Sequence, residues 1–206
     1  MELCLIRHGR TGWNEKGWFQ GQTDVPLSDT GREQVRAAAE RFRAEGITFD
    51  RVVSSPLVRA VETASIVTGL PMEEIPTDPR IREIEFGIFE GTDFFKPDYP
   101  GWEQDELPFR GLFEAPEKYS PPPGGEDFTH VLARTRSFLA DMQQLAASSD
   151  APGRILAACH GGIIRALHVA AGLAELHGIW DIKVENGRLF VFVMDGEHIR
   201  SNEGGV

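Results

Sequence analysis

Short apolar runs alternate with longer amphipathic stretches along the chain, and this alternation predicts strands and helices in turn. Residues 2–7 form an apolar run of the length typical of a buried strand, and residues 154–159 form a second such run. Between them, apolar residues recur with the helical i, i+3, i+4, i+7 spacing, which predicts a helix from Ser28, its cap, to about Glu45.

The same periodicity and the flanking residues predict the other elements. Ser55 resembles a helix cap, because Pro56 after it suits the first position of a helix. Asp195 and Gly196 predict a tight hairpin turn. The full set is a strand at 49–53, a helix from Ser55 to about 68, a short strand at 74–76, helices at 127–147 and 162–173, and strands near 179–184, 188–194 and 197–201.

Two long segments lack a clear period. Residues 9–26 are a loop of a length that is usually functional. Residues 92–124 are rich in proline and aromatic residues, and we expect a packed, lid-like insertion with short helices. The alternation of strands and helices predicts an α/β protein, a three-layer α/β/α sandwich. The C-terminal hairpin should make its central sheet mixed, although mostly parallel. We expect residues 1–206 to form a single domain.

Composition narrows the class of protein. The net charge of −11 argues against nucleic acid and anionic membranes as partners, although clustered arginines could still bind an anionic small molecule. Cys4 and Cys159 lie in predicted strands, where they are expected to be small core residues. Because no leader segment and no run of about 20 apolar residues is present, a cytoplasmic location is expected.

Two strand ends carry the candidate chemistry. His8 follows Arg7 at the end of the first strand, and His160 follows the strand at 154–159 and precedes Gly161. Ligands of open α/β sheets bind at the carboxyl ends of the strands. Arg59 in the first turn of a helix adds a further cation. Arginines, imidazoles and a helix N-terminus together predict a phosphate-binding pocket.

These motifs resemble those of the histidine phosphatase superfamily, which includes the cofactor-dependent phosphoglycerate mutases. Six ordered blocks over residues 1 to about 175 carry the resemblance. They are Arg7-His8-Gly9 with Thr11 and Asn14; Asp24-Val25-Pro26-Leu27-Ser28 with Gly31; Ser54-Ser55-Pro56-Leu57 with Arg59-Ala60 and Thr63-Ala64; Arg82-Glu83 and Phe86-Gly87 with Glu90-Gly91; Pro123-Gly124-Gly125-Glu126; and His160-Gly161-Gly162. Arg10 departs from the acidic residue or glutamine common at its position.

The resemblance implies a role for each matched residue. His8 would attack phosphorus and become a phosphohistidine, and Glu83 would be the general acid, with Glu85 left open as an alternative. Neither a metal nor another cofactor is implied, since the arginines supply the positive charge. The residues expected to hold the phosphoryl oxygens or approach the substrate are Arg7, Asn14, Arg59, His160, Gln20, Gly21 and Gly161.

The same site serves phosphatases and mutases. Mutases follow the second histidine with Gly-Asn-Ser and have Arg-His-Tyr-Gly after the acid, whereas this chain has Gly161-Gly162 and Ile84-Glu85-Phe86-Gly87. A metal-independent phosphomonoesterase acting on a small metabolite is therefore favoured. A mutase, a non-catalytic phospho-ligand-binding module and a metallohydrolase on His8 and His160 remain alternatives. The substrate and the oligomeric state are left open.

Overall fold

A computed structural model describes residues 1–94 and 107–202 of the chain. Five strands and six α-helices lie in these ranges, joined by loops and short 3₁₀ helices. In chain order they are β1 (Glu2–Arg7), α1 (Gly12–Lys16), α2 (Asp29–Ala44), β2 (Arg51–Ser54), α3 (Val58–Thr68), α4 (Leu107–Glu114), α5 (Phe128–Ala146), β3 (Arg154–Cys159), α6 (Gly161–Ala170), β4 (Leu189–Met194) and β5 (Ile199–Asn202).

The five strands form one sheet in the order β2-β3-β1-β4-β5. β1 pairs in parallel with β3, and β3 with β2, whereas β4 is antiparallel to both of its neighbours. Four of these five strands therefore run in one direction, and the mixed, mostly parallel sheet is confirmed. The register sets Arg7 opposite Cys159. The residues that follow β1 and β3, His8 and His160, consequently leave the sheet at the same edge.

Each face of the sheet is covered by helices, which confirms the three-layer sandwich. Alternate residues of β1 point to opposite faces. Leu3 and Leu5 pack with residues of α5 and α6, whereas Cys4 and Ile6 pack with residues of α2 and α3. Cys4 and Cys159 are both buried and unpaired.

Side-chain caps stabilise the N-termini of two long helices. Ser28 accepts a hydrogen bond from Gly31 N at 3.1 Å at the start of α2. Asp127 accepts one from His130 N at 2.9 Å at the start of α5. Both helices were predicted within three residues of their ends. Among the described residues, no helix is long and apolar enough to cross a membrane.

Three predictions of local structure are wrong. Ser55 is not a helix cap, because α3 begins at Val58 and the Ser55 hydroxyl faces His160 instead. The expected strand at 74–76 gives way to a 3₁₀ helix, Met72–Glu74, and one bridge between Ser54 and Thr77. The expected strand at 179–184 is largely a 3₁₀ helix, Leu176–Asp181, that buries Ile179 in the core.

Both of the segments without a clear period contain short helices, which had been expected only in the second. The loop at 9–26 contains the short helix α1. Of the expected insertion at 92–124, residues 95–106 lie outside the described residues, and the rest includes α4 and a 3₁₀ helix, Pro116–Lys118. That this insertion acts as a lid, and that residues 1–206 form one domain, remain predictions.

Candidate active site

A cavity of about 350 Å³ opens at the edge of the sheet where β1 ends. Eight of the nine residues expected to act on the substrate line its wall. They are Arg7, His8, Asn14, Gln20, Gly21, Arg59, Glu83 and Gly161. The ninth, His160, is fully buried, and its ring centroid lies 5.2 Å from that of His8.

The hydrogen bonds of His8 define its tautomer. Nδ1 lies 2.7 Å from the carbonyl oxygen of Gly9, and because a carbonyl only accepts, Nδ1 carries the proton. Burial, and then the positive charges of Arg59 and Arg7, hold the pKa of His8 well below 6.5. The ring is therefore neutral at pH 7, and its Nε2 lone pair is available at the cavity wall. Gly9 must be small, since a Cβ there would lie 2.6 Å from the Gly31 carbonyl oxygen.

His160 lies at the N-cap of α6, directly after β3. Its Nε2 is 2.7 Å from the Ser55 hydroxyl, whereas its buried Nδ1 has no hydrogen-bond partner among the described residues. Burial, followed by the charge of Arg59, lowers the pKa of His160 well below 6.5. The second imidazole is thus also neutral, and one of its ring nitrogens remains to be satisfied.

Two buried guanidinium groups flank the histidines. Arg7 Nη1 donates to the Val184 carbonyl at 2.8 Å, and Arg59 donates from Nη2 to Gly21 at 2.6 Å and from Nη1 to Thr23 at 2.8 Å. The Nε atoms of Arg7 and Arg59 are buried without a partner, and neither arginine forms an ion pair with a carboxylate in the described part of the chain. Because carbonyl oxygens leave the charge of a guanidinium uncompensated, this arrangement favours an anion in the cavity.

Glu83 is the acidic side chain of the cavity wall. Its carboxylate accepts hydrogen bonds from Ile84 N at 2.9 Å and from Gly162 N at 3.1 Å. A Cβ at Gly162 would lie 2.5 Å from Glu83 Oε1, so this position of the carboxylate requires glycine. Glu85 is exposed and does not line the cavity. The geometry thus favours Glu83 over Glu85 as the acid.

A single arginine of α5 holds the segment that carries Glu83. Arg134 Nη1 donates to the carbonyls of Arg80 and Arg82 at 2.6 and 2.7 Å, and Nη2 donates to that of Glu83 at 3.2 Å. Glu126 holds the same guanidinium with two bonds, at 2.7 and 2.8 Å. Arg134 therefore fixes the backbone from which Glu83 reaches the cavity.

The loop after β1 positions three further predicted residues. Asn14 Oδ1 accepts from Thr11 N at 3.1 Å, and Gln20 Oε1 accepts from Thr11 Oγ1 at 2.8 Å. These bonds use the oxygens and leave each amide NH₂ group as a donor at the cavity wall. Gly21 has a φ of +51°, and a Cβ there would overlap the Glu90 carboxylate.

The family model of the histidine phosphatase superfamily (branch 1) matches residues 3–203. The chain belongs to this superfamily. The resemblance drawn from the sequence motifs is thereby confirmed.

Relatives within the superfamily have both phosphatase and mutase names. The chain is 31% identical to a putative phosphoserine phosphatase 2 of Hydrogenobacter thermophilus, over 95% of this chain and 90% of that protein. It is 34% identical to a 2,3-bisphosphoglycerate-dependent phosphoglycerate mutase of a Methylobacterium species, over 80% and 77% of the two chains. A mycobacterial glucosyl-3-phosphoglycerate phosphatase, in complex with VO₃, superposes with a TM-score of 0.76 at 29% identity, covering 98% and 96%.

Several residues of this superfamily site were not predicted. Trp180 lies in the segment that was predicted to be a strand, and Arg165 had no predicted role. The signal for Arg165 was its position four residues after Gly161, which sets both on one face of a helix. The wall residues without a predicted role are Gly17, Trp18, Phe19, Phe86, Phe94, Gly162, Arg165 and Trp180.

No group of three or more His, Cys, Asp or Glu side chains that could hold a metal ion occurs in residues 1–94 and 107–202. The donor set of the site also suits a metal poorly, because guanidinium groups beside both imidazoles repel a cation. That this protein needs no metal ion for activity remains a prediction.

Proposed function

We propose that this protein is a phosphomonoesterase that hydrolyses a small phosphorylated metabolite through a phosphohistidine on His8. The observation that carries the proposal is the state of the His8 ring. A neutral imidazole with Nδ1 bound to the Gly9 carbonyl offers Nε2 as a nucleophile at the wall of a cationic cavity. A cytoplasmic location belongs to the same proposal.

The reaction has two displacements at phosphorus. In the first, His8 Nε2 forms a bond to phosphorus while the ester P–O bond breaks, and Glu83 gives its proton to the leaving oxygen. In the second, Glu83 takes a proton from water, whose oxygen bonds to phosphorus as the N–P bond breaks. The groups that hold the phosphoryl oxygens are Arg7, Asn14, Arg59 and His160. Their charges and donors stabilise the transferring group.

Gly162 supports hydrolysis over the mutase reaction. Mutases have asparagine at the corresponding position, and a side chain at Gly162 would displace the Glu83 carboxylate from where it lies. The relatives named phosphatases point the same way, with phosphoserine and glucosyl-3-phosphoglycerate as the substrates in their names. The proposed substrate is thus a phosphomonoester in the size range of these two compounds.

The test is turnover of p-nitrophenyl phosphate in the presence of EDTA, with wild type and His8→Ala. We expect wild-type activity, inhibition by vanadate, and a loss of at least about a thousandfold in His8→Ala. Denaturation in alkali during turnover should trap a phosphoryl group on the wild-type protein that is stable in base and lost in acid. The control is His130→Ala, since His130 is an exposed histidine remote from the cavity. Activity that survives in His8→Ala would overturn the proposal.

The mutase is the second candidate, because a relative at 34% identity has that name. It is tested with 3-phosphoglycerate and a trace of 2,3-bisphosphoglycerate. Formation of 2-phosphoglycerate without release of inorganic phosphate would replace the phosphatase with a mutase. Saturable binding of phosphate esters with neither product would favour a binding module instead.

A further inference from the structure

A third guanidinium group faces the cavity, and the proposed mechanism does not use it. Arg165 lies on α6, and its Nη1 donates to the Gly161 carbonyl at 3.0 Å. Its Nε is buried without a partner, and its Cζ lies 5.4 Å from the centroid of the Trp180 ring. It forms no ion pair with a carboxylate in the described ranges. Nε is enclosed and Nη1 is already bonded, whereas Nη2 has no hydrogen-bond partner among the described residues and is the group that can donate to a ligand in the cavity.

Arg165 lies beside Arg7. A Cβ on Gly161 would be 3.2 Å from Arg165 Nη1 and 3.3 Å from Arg7 Nε, so the two side chains converge on one glycine. Burial, and then the charge of Arg7, lower the pKa of Arg165 to about 10, so that it stays charged at pH 7. Two cations held this close are stabilised when anions bind to both.

The charges of the described wall indicate how many anions the cavity can hold. Arg7, Arg59 and Arg165 are its cations, and Glu83 is its acidic residue. When Glu83 is protonated to act as an acid, the wall has three positive charges. A phosphomonoester dianion compensates two of them. One cation remains, beside an aromatic wall that solvates it poorly.

We propose that Arg165 binds a carboxylate of the substrate, so that the substrates of this enzyme are phosphorylated carboxylic acids. Arg7 and Arg59 hold the phosphoryl group, and Nη2 of Arg165 donates to the carboxylate. Trp180 orients the guanidinium by stacking. The inference rests on the proposed phosphatase function, whose substrate class it specifies.

The experiment compares 3-phosphoglycerate with glycerol 3-phosphate, which has a hydroxymethyl group in place of the carboxylate. In wild type we expect kcat/KM to favour 3-phosphoglycerate by about tenfold or more. Arg165→Met should reduce that preference to about threefold or less, mainly through KM, and Arg165→Lys should retain part of it. The matched control is Arg188→Met, because Arg188 also lies over an aromatic ring, Phe190, but does not line this cavity.

Two kinetic results would overturn the assignment. One is an equal loss for both esters in Arg165→Met, which would mean that Arg165 acts on the phosphoryl group or on folding. The other is a wild-type enzyme without preference for the carboxylate. If wild type hydrolyses neither ester, the phosphatase proposal is judged by p-nitrophenyl phosphate turnover, and the carboxylate site is judged by binding. Calorimetric binding of the two esters to His8→Ala, with and without Arg165→Met, then decides, and equal or absent binding refutes the carboxylate site.

Discussion

The Glu83 side chain is placed by backbone donors and not by a cation. Two N–H groups, of Ile84 and Gly162, hold its carboxylate beside the cavity. Burial lowers the pKa values of Arg7 and Arg59, and the charge of Glu83 partly offsets this effect. An acid in this position can reach the oxygen that leaves when His8 attacks. Its contribution should therefore depend on how strongly the leaving oxygen needs a proton.

We expect Glu83→Gln to lower kcat by about a hundredfold to ten-thousandfold for an alkyl phosphate. The loss should be much smaller in the first step with p-nitrophenyl phosphate, because nitrophenolate leaves without a proton. Since the variant also lacks the base that activates water, the phosphoryl enzyme should accumulate. Stopped-flow release of nitrophenolate would then show a burst.

The matched comparison is Glu85→Gln, two residues away on the exposed side of the same segment. Its kcat should stay within about twofold of wild type. A large loss in Glu85→Gln with near-normal activity in Glu83→Gln would transfer the acid role to Glu85 and contradict the geometry described above.

A site residue could be predicted from the sequence when the neighbouring residues in the chain determine its position. Arg7 is the last residue of β1, and His8 and His160 directly follow β1 and β3, so the positions of all three follow from the strands alone. Arg165 had no such signal, because its place at the wall depends on the turn of α6 and on the Trp180 segment folding over it. The role of each residue in phosphoryl transfer remains a prediction.

At the scale of helices and strands, apolar periodicity predicted the elements that bury one face in the core. α2 and α5 were predicted from such stripes, and α2 also from its cap, Ser28. Ser55 failed as a cap because its hydroxyl interacts with His160, a residue 105 positions away. The segment at 179–184 failed because an apolar run of that length fits a strand or a tight turn equally well, and packing of Ile179 decided between them.

Helix α5 holds the backbone of the catalytic segment through the Arg134 side chain. We expect Arg134→Met to free the carbonyls of Arg80, Arg82 and Glu83 and to leave Glu126 without its partner. The free energy of unfolding should fall by about 2–3 kcal/mol. Because Glu83 would lose its fixed position, kcat should fall by about tenfold or more while KM changes little. Urea unfolding and steady-state kinetics measure the two effects.

Arg136→Met is the control for this prediction, since Arg136 is an exposed arginine of the same helix. Arg134→Lys should recover part of the stability but less of kcat, because one ammonium group cannot reach three carbonyls and a carboxylate. An Arg134→Met variant with lower stability but unchanged kcat at a temperature where it is folded would limit Arg134 to a structural role.

Buried imidazoles make the stability of the folded protein depend on pH. Burial is the first cause that lowers the pKa values of His8, His160 and His168 below 6.5. Below pH 6.5, histidines of the unfolded chain bind protons that these three do not bind in the folded state. Protonation therefore favours the unfolded state, and stability decreases as the pH falls.

Between pH 7.5 and pH 5.5, each histidine that stays neutral in the fold should cost about 1.4 kcal/mol, so His8 and His160 together should cost about 3 kcal/mol. Asp78 does not mask this change: burial raises its pKa, but the hydrogen bonds and charge of Arg80 outweigh burial and hold the pKa below 3.8, outside the pH range used. Urea unfolding at the two pH values measures the difference. His8→Gln should recover about 1.4 kcal/mol of it, and the control is the same substitution at an exposed histidine, His177→Gln. A free energy of unfolding that stays constant over this range would show that the histidines titrate normally in the fold, and the neutral nucleophile would lose its physical basis.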